Sequence, residues 1–354
     1  MTGENKGTTP VREGFAFDEA ALAGWLEDHV AGFTGPLTVR QFRGGQSNPT
    51  FLLQTAGGDY VLRRKPSGKL AKGAHAVDRE ARVQRALANT DVPVAKIHAL
   101  CEDSEIIGSE FYIMAPVEGR IVWDARFPDV SAAERPAYFD EMNRVIAALH
   151  SVDYQAAGLG DYGRPGNYFE RQIGRWTKSY LADTDAGRDD DMDALIARLP
   201  ELIPPGDETT LVHGDFRCDN LVFHPTEPRI VAVLDWELST LGHPLADFAY
   251  HAMMYRMPPD IVAGLKGADL AALNIPTERA YIEAYADRTG RDPLAHWDFY
   301  QAFNFFRLAA IFHGIKGRVA RGSAASASAR DRLGSYPLLT GIARDALNRC
   351  QGLP

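Results

Sequence analysis

Alternating and helical patterns of apolar residues divide the chain into a strand-rich first part and a helix-rich remainder. A capped first helix is predicted after Asp18, because apolar residues recur there at helical spacing, at Leu22, Trp25, Leu26 and Val30. Strands are predicted over residues 37–42, 50–55, 60–64, 97–101 and 110–114, and a helix over residues 76–88. Because Gly57-Gly58 separates the second strand from the third, the first strands are expected to form an antiparallel meander.

The apolar pattern changes after Met114, where Pro116 and Gly119 interrupt both periodicities. Beyond this point helices are predicted over residues 140–150, 161–180, 244–254, 277–289, 297–316 and 333–348. The acidic segment 185–193 is expected to be a solvated loop or a helix entrance. We therefore expect an α+β protein with a disordered N-terminus (1–14), a small antiparallel-sheet lobe (15–114), a hinge (115–119) and a larger, mainly helical lobe (120–354).

A glycine-containing loop joins the first two strands of the meander. It contains Gly44, Gly45, Gln46, Ser47 and Asn48. Because glycine has no Cβ, backbone N–H groups in such a loop can approach a phosphate group closely. An ordinary hairpin turn explains the same two glycines, and for this loop alone it is the simpler interpretation.

The third strand and the next helix place a cation opposite a carboxylate. Alternation puts Val61 and Arg63 on one face of the strand. In the helix, Glu80 lies three residues from both Val77 and Val83, and therefore on the apolar side. A carboxylate on that side requires a cation, for which Arg63 is the candidate. A structural ion pair and a functional one are equally consistent with this pattern.

Residues 211–237 place polar side chains at the ends of short predicted strands. The loop after the first strand carries four candidates, namely His213, Asp215, Asp219 and Asn220. A predicted hairpin over residues 221–234 then leads to Asp235. A rigid sheet can direct such side chains at a common point. Three carboxylates and a carboxamide suit a divalent cation beside a proton acceptor.

The spacing of these residues matches the catalytic loop of protein kinases, H-R-D-x-x-x-x-N. His213, Asp215 and Asn220 reproduce that spacing, and Asp235 follows fifteen residues after Asn220. In kinases the loop Asp accepts the proton of a hydroxyl group, and the Asn and the later Asp hold Mg²⁺. The pattern therefore predicts phosphoryl transfer to a hydroxyl group, with His213 expected to brace the loop.

Composition and charge narrow the possible partners. The chain has 354 residues, of which 45% are hydrophobic and 24% charged, as in an ordinary globular protein of about two domains. Its net charge of −9 argues against general binding to nucleic acids or membrane surfaces. The three cysteines form no metal or disulfide pattern, and the N-terminus lacks the apolar core of a signal peptide. We expect a cytoplasmic protein with no nucleic-acid or membrane partner.

The motifs HGDFRCDN and VLDWE resemble those of the aminoglycoside phosphotransferase and choline kinase superfamily of small-molecule phosphotransferases. The resemblance covers nearly the whole chain, through FRGGQSNPTF, YVLRRKP, DREARVQRAL and FYIMAPVEG to the C-terminal helices. Within the superfamily, YVLRRKPSGKLAKGAHAVDREARVQRAL is similar to the subgroup found alone in bacteria and fused in front of acyl-CoA dehydrogenase domains in animals.

This resemblance implies a bilobal protein-kinase-like fold that uses ATP and Mg²⁺. It implies Asp215 as the catalytic base and Asn220 and Asp235 as Mg²⁺ ligands. The nucleotide-binding positions it implies are Gly44, Gly45, Gln46, Ser47, Asn48, Arg63, Glu80, Met114, Ala115 and Val117. Where the family usually has Lys on the third strand, this chain has Arg63, which keeps the charge but has a different shape.

Two further features follow from the resemblance. Asp247 matches a family position that holds the catalytic loop in shape, although a simple helix-terminus charge explains it as well. The subgroup implies hydroxyacyl-CoA as the substrate class. A cationic strip that could meet the CoA phosphates consists of Arg307, Lys316, Arg318 and Arg321. A solvated helix end is the simpler interpretation of that strip.

Three alternatives remain open at this point. An antibiotic kinase for amino sugars would need an acidic acceptor cleft, which residues 189–193 could supply. A catalytically silent nucleotide-binding regulator would have no need for the full set of Asp215, Asn220 and Asp235. A metal-dependent hydrolase would place His213 and the carboxylates directly on the metal, and would leave Arg63 and Glu80 unexplained.

Overall fold

The predicted succession of strands and helices is present in a computed structural model, which describes residues 7–43, 48–66, 76–322 and 333–350. The strands are β1 (Thr8–Thr9), β2 (Thr38–Phe42), β3 (Thr50–Gln54), β4 (Tyr60–Arg64), β5 (Ile97–Cys101), β6 (Phe111–Met114), β7 (Arg120–Ile121), β8 (Thr210–Val212), β9 (Leu221–Phe223), β10 (Ile230–Val233) and β11 (Thr240–Gly242). The helices are α1 (Glu19–His29), α2 (Val77–Leu87), α3 (Arg135–His150), α4 (Tyr168–Ala182), α5 (Asp190–Arg198), α6 (Pro244–Ala252), α7 (Pro259–Val262), α8 (Leu270–Leu273), α9 (Glu278–Thr289), α10 (Trp297–Ala320) and α11 (Tyr336–Cys350). The predicted α+β class, with an antiparallel sheet followed mainly by helices, is confirmed.

Contacts between residues divide the chain into two compact units. The first unit comprises Met1–Trp123, Tyr154–Tyr162 and Asp219–Ser239, and the second comprises Asp124–Asp153, Gly163–Cys218 and Thr240–Pro354. Asn220 and Asp235 therefore belong to the first unit, whereas Asp215 belongs to the second. The predicted lobe and hinge boundaries remain predictions.

A six-stranded antiparallel sheet forms the centre of the first unit, in the order β1-β2-β3-β4-β6-β5. Helix α1 begins at the cap that Asp18 provides, and its buried residues Leu22 and Leu26 pack on one face of the sheet with Phe51 and Leu62. In β4, successive side chains point to opposite faces of the sheet. Arg64 lies over the ring of Phe51, on the α1 face, so that its neighbour Arg63 points to the opposite face, toward α2.

The N-terminal residues depart from the prediction of disorder over residues 1–14, which is wrong for the part of that segment that the structure describes. Thr8–Thr9 forms β1, which pairs antiparallel with Phe42 and Gln41 of β2. The Arg40 side chain donates hydrogen bonds to the Thr8 hydroxyl and the Thr8 carbonyl, at 2.8 and 3.2 Å. Because these bonds join residues 32 positions apart, local composition could not reveal them.

The second unit is mainly helical, and α10 packs against α4, α6 and α11. Two buried amide side chains of α10 fasten it to α6, because Gln301 donates to the Ala249 carbonyl and Asn304 to the Ala246 carbonyl. The aromatic residues Tyr300 and Phe303 of the same helix are buried, as expected for core positions.

One helix of this unit begins later than predicted, and the structure decides between the two interpretations of the acidic segment. The helix predicted from Asp161 begins only at Tyr168, because Asn167 adopts a left-handed conformation and its N–H donates to the Asp207 carboxylate. The acidic segment 185–193 is a helix entrance, since Asp189 caps α5 by accepting the Met192 N–H at 3.0 Å. Within the described residues, none of the helices combines the length and the apolar character needed to cross a membrane.

Candidate functional site

Arg63 and Glu80 form a buried ion pair in the first unit. The distance from Arg63 Nε to Glu80 Oε2 is 2.8 Å, and the two side chains are 12% and 1% exposed. Glu80 also accepts hydrogen bonds from Asn48 Nδ2 at 2.5 Å and from the Tyr112 hydroxyl at 3.2 Å. The pairing predicted between strand and helix is thereby confirmed.

Burial disfavours both charges of this pair. Burial raises the pKa of the Glu80 carboxyl, and Arg63 opposes that shift. Burial also disfavours the Arg63 cation, but the nearby carboxylates of Glu80 and Asp235 raise the Arg63 pKa further than burial lowers it. Arg63 therefore remains charged, and a carboxylate partner is needed to keep it stable inside the unit.

Arg63 also reaches Asp235, the acid at the end of the β9–β10 hairpin. Arg63 Nη2 lies 2.7 Å from Asp235 Oδ1, and the Asp235 side chain is 33% exposed. Asp235 adopts φ 63° and ψ 60°, a left-handed conformation that aspartate tolerates better than most residues other than glycine.

Asn220 lies next to this acid through the pairing of the hairpin. Leu221 pairs with Val233, and the N–H of Leu234 donates to the Asn220 carbonyl at 2.8 Å. Asn220 and Asp235 are both partly exposed. Two hard oxygen donors at this end of the hairpin, beside a guanidinium that can meet phosphate, fit the few protein ligands that Mg²⁺ takes when a nucleotide supplies others.

The structure describes only some of the predicted nucleotide-binding positions. Gly44, Gly45, Gln46 and Ser47 lie outside the described residues. Asn48 is fully buried and holds the end of that loop to Glu80. In the predicted adenine hinge, Met114 and Val117 are half-buried, and the Ala115 N–H donates to the Lys96 carbonyl at 2.8 Å. Their nucleotide contacts remain predictions.

In the second unit, Asp247 holds the loop that follows β8. Its two carboxylate oxygens accept the backbone N–H groups of His213 and Gly214, each at 2.8 Å. Although burial opposes the shift, the hydrogen bond with His150 lowers the pKa of Asp247, so the carboxylate remains ionised inside the unit. The role expected of Asp247 in shaping the loop is therefore confirmed, and a simple helix-terminus charge does not describe it.

Asp215 follows in this loop, and its carboxylate contacts two side chains of the second unit. The hydroxyl of Tyr250 donates to Asp215 Oδ1 at 2.6 Å, and Arg217 Nε lies 3.0 Å from the same oxygen. His213 is fully buried, and its Nδ1 accepts the backbone N–H of Asp215 at 3.2 Å, which agrees with the bracing role expected of it. Sequence reasoning missed Tyr250 and Arg217. The available signal was that Tyr250 lies three residues after Asp247, on the same face of α6.

An apolar cavity adjoins this carboxylate within the second unit. Its lining residues are Arg217, Cys218, Tyr250, His251, Met253, Met254, Met257, Ala263 and Leu308. Two of them, Arg217 and Tyr250, are the partners of Asp215. The lining contains three methionines, whose flexible side chains adapt to irregular apolar shapes, and no carboxylate occurs among the side chains that the structure describes there.

The residues considered for acceptor binding mostly have other partners. Arg307 donates to the Gly214 carbonyl at 3.0 Å, and Arg321 pairs with Asp183 and Asp185. These two arginines therefore stabilise the second unit. In the acidic segment, Asp189 caps α5 and Asp193 pairs with Arg188 at 2.7 Å.

Comparisons with known proteins identify the family of the chain. The model of the phosphotransferase enzyme family, APH, matches residues 38–303. Acyl-CoA dehydrogenase family member 10 of Mus musculus is 45% identical over 326 residues, which are 91% of this chain and 30% of that protein. Acyl-CoA dehydrogenase family member 11 of Homo sapiens is 41% identical over 318 residues, 88% of this chain and 40% of that protein. The chain thus spans less than half the length of these relatives.

Solved structures show the same fold. A candidate aminoglycoside phosphotransferase from Ralstonia eutropha has a TM-score of 0.88 and 53% identity, and the match covers 94% of this chain and 99% of the other. Aminoglycoside phosphotransferase APH(4)-Ia, in a ternary complex with ADP and hygromycin B, has a TM-score of 0.58 and 17% identity over 94% and 98% of the two chains. The chain therefore belongs to the phosphotransferase enzyme family and has the kinase-like fold of aminoglycoside phosphotransferases, as its motifs predicted.

Proposed function

We propose that this protein transfers the γ-phosphoryl group of ATP to a hydroxyl group of a small molecule, in a reaction that depends on Mg²⁺. The observation that carries the proposal is the arrangement of Asn220 and Asp235 at one end of a hairpin, beside the buried guanidinium of Arg63. A buried cation beside two oxygen donors is a suitable environment for nucleotide phosphates.

Each residue has one role in this proposal. Asp215 accepts the proton of the acceptor hydroxyl as its oxygen attacks the γ-phosphorus, while ADP leaves with the bridging oxygen. Asn220 and Asp235 would hold Mg²⁺, which when bound neutralises charge on the phosphate oxygens. Arg63 binds the inner phosphates, and Glu80 keeps Arg63 in position.

For the acceptor, we propose a hydroxyacyl-CoA. Two observations support this class. The relatives carry the name acyl-CoA dehydrogenase, and the described lining of the cavity next to Asp215 is largely apolar, with three methionines and Leu308 beside Arg217, Tyr250 and His251. Its apolar character suits an acyl chain, because burial of apolar surface favours binding, but the cavity encloses only about 30 Å³ and would have to widen to admit one. A strip formed by Arg307, Lys316, Arg318 and Arg321 has less support as a CoA-phosphate site, since Arg307 and Arg321 bind groups of their own unit.

The second candidate acceptor is an amino sugar, because the structure of APH(4)-Ia contains hygromycin B. An amino sugar is cationic and would need carboxylates around it. The described side chains of the cavity lining include no carboxylate, Asp189 caps α5, and Asp193 pairs with Arg188. These contacts favour the acyl acceptor.

The two remaining alternatives have less support. A silent regulator does not require the bonds by which Asp247 shapes the loop and Tyr250 holds Asp215. A hydrolase would use His213 on the metal, whereas His213 is fully buried and its Nδ1 already accepts a hydrogen bond.

The proposal is tested by incubating the protein with ATP and Mg²⁺ and a panel of hydroxyacyl-CoAs, aminoglycosides and simple alcohols. We expect a product that is heavier by one phosphoryl group, from the hydroxyacyl-CoAs and not from the aminoglycosides. In parallel, the thermal unfolding temperature should rise with ATP and Mg²⁺ together, and not with Zn²⁺ or Mn²⁺ alone. Phosphorylated aminoglycoside would overturn the acceptor class, and the absence of any phosphorylated product would overturn the proposed function.

A further inference from the structure

One oxygen of the Asp215 carboxylate accepts a hydrogen bond from Tyr250 and forms an ion pair with Arg217, both in the second unit. The Tyr250 hydroxyl donates to Asp215 Oδ1 at 2.6 Å, and Arg217 Nε lies 3.0 Å from that oxygen. The shorter of these contacts has the length of a charge-assisted O–H···O⁻ bond, which is about twice as strong as a bond between neutral groups. Arg217 belongs to the loop itself, whereas Tyr250 belongs to helix α6.

Helix α6 therefore fixes both the backbone and the side chain of the loop. Asp247, in its first turn, accepts the N–H groups of His213 and Gly214. Tyr250 lies three residues later on the same helical face and binds the carboxylate of Asp215. One helix thus contacts both the backbone of the loop and the carboxylate that the loop carries.

The Tyr250 side chain is itself held in place. The guanidinium of Arg307, on α10, lies 5.2 Å from the centre of the Tyr250 ring, and Arg307 Nη2 donates to the Gly214 carbonyl at 3.0 Å. Burial, together with the neighbouring charge of Asp215, raises the pKa of Tyr250 above its usual value. The phenol is therefore protonated at every pH at which the protein would work, and it can always donate.

We propose that Tyr250 is a positioning residue for phosphoryl transfer, whose hydroxyl fixes the rotamer of Asp215 so that the carboxylate meets the acceptor hydroxyl. This inference rests on the proposed function, because it assigns Tyr250 a role through Asp215. A carboxylate that turns freely would spend only part of its time in the reactive orientation. The bond from Tyr250 removes that freedom before the acceptor arrives.

The test compares Tyr250→Phe with Tyr255→Phe in the full chain. Both replacements delete one hydroxyl from a largely buried tyrosine, but the Tyr255 hydroxyl has no hydrogen-bond partner among the described residues. For Tyr250→Phe we expect kcat to fall by about 10- to 100-fold, with KM for ATP within about twofold of the original value. For Tyr255→Phe we expect kcat and KM for ATP to stay within about twofold of their values in the original protein.

A second measurement separates positioning from a general structural role. In the Asp215→Asn background, Tyr250→Phe should cause no additional loss of the residual rate, because the carboxylate that it positions is absent. The inference alone is overturned if Tyr250→Phe keeps kcat within about twofold, if Tyr255→Phe loses as much, or if the losses at positions 215 and 250 are additive. A chain that transfers no phosphate to any acceptor overturns the proposed function and this inference together.

Discussion

Arg63 Nε lies 2.8 Å from Glu80 Oε2, and this buried ion pair joins strand β4 to helix α2. The same guanidinium reaches Asp235 through Nη2, at 2.7 Å. A guanidinium has several N–H groups in a fixed plane, so it can hold two carboxylates at once, whereas an ammonium is a single point charge. The arginine that replaces the lysine usual in this family thus links the acid of α2 to the proposed metal ligand.

Replacing Glu80 by Gln should lower the free energy of unfolding by about 3 kcal/mol, because Arg63 would remain buried without its main counter-charge. Urea denaturation monitored by circular dichroism measures this quantity. The matched control is Glu110→Gln, directly before strand β6, where the ion pair with Lys65 is more exposed. That change should cost less than about 1 kcal/mol. Equal losses in the two variants would contradict the special role of burial at Glu80.

Replacing Asp215 by Asn should reduce kcat for phosphoryl transfer by about 100- to 10,000-fold, because the amide cannot accept the proton of the hydroxyl group. Binding of ATP with Mg²⁺ should persist, since the proposed nucleotide ligands Arg63, Asn220 and Asp235 are unchanged. Product formation followed by mass spectrometry gives the rate, and the rise in unfolding temperature with ATP reports binding. An Asp215→Asn variant of full activity would remove the assignment of the base.

Stability should decrease between pH 7 and pH 5, in part because of His251. Burial lowers the pKa of this histidine to about 4. The neutral ring forms a hydrogen bond at each nitrogen, since Nδ1–H donates to the Phe216 carbonyl and Nε2 accepts from the Tyr281 hydroxyl. In the unfolded chain the pKa is about 6.5, so between these values the unfolded state binds more protons and stability falls as the pH falls.

The contribution of His251 over this interval is about 2 kcal/mol. It is measured as the difference between the unfolding free energies at pH 7 and pH 5, for the original chain and for His251→Gln. Because glutamine does not titrate, the variant should lose less stability than the original chain over the same interval. An identical pH dependence in both proteins would show that His251 titrates normally in the folded state.

Gly119→Ala should destabilise the first unit by about 1–3 kcal/mol, the usual cost of overpacking. A Cβ at this position would lie 2.3 Å from the Phe223 carbonyl oxygen and 2.5 Å from Val222 Cγ1, so that β7 could not keep its pairing with β9. Gly174→Ala, in the middle of α4 with no atom near the added methyl group, should instead stabilise by about 0.5–1 kcal/mol. Thermal or urea unfolding of both variants measures these changes in stability. An unchanged free energy of unfolding in Gly119→Ala would contradict the close approach of β9 to residue 119.

Periodicity predicted most of the long elements and one ion pair, although it did not predict β1 and placed the start of α4 at Asp161 instead of Tyr168. The strand at 60–64 and the helix over 76–88 lie where their patterns indicate, and Arg63 meets Glu80 because alternation in the strand and three-residue spacing in the helix put both on facing sides. The sequence also predicted the family, because the short motif HGDFRCDN contains most of the residues expected to take part in the reaction. Strands, helices and short motifs are determined by residues that lie close together along the chain, and patterns in a single sequence reveal such residues well.

Contacts between distant parts of the chain were decided only by the tertiary structure. The bond from Tyr250 to Asp215 joins residues 35 positions apart, and the bond from Arg63 to Asp235 spans 172 positions. The strand formed by Thr8–Thr9 likewise depends on Arg40, in β2. Any arginine or tyrosine could have formed such bonds, and which one does so depends on how helices and sheets pack. The sequence by itself therefore determined the elements and the class of chemistry, whereas packing decided which side chains hold the proposed base and metal ligands.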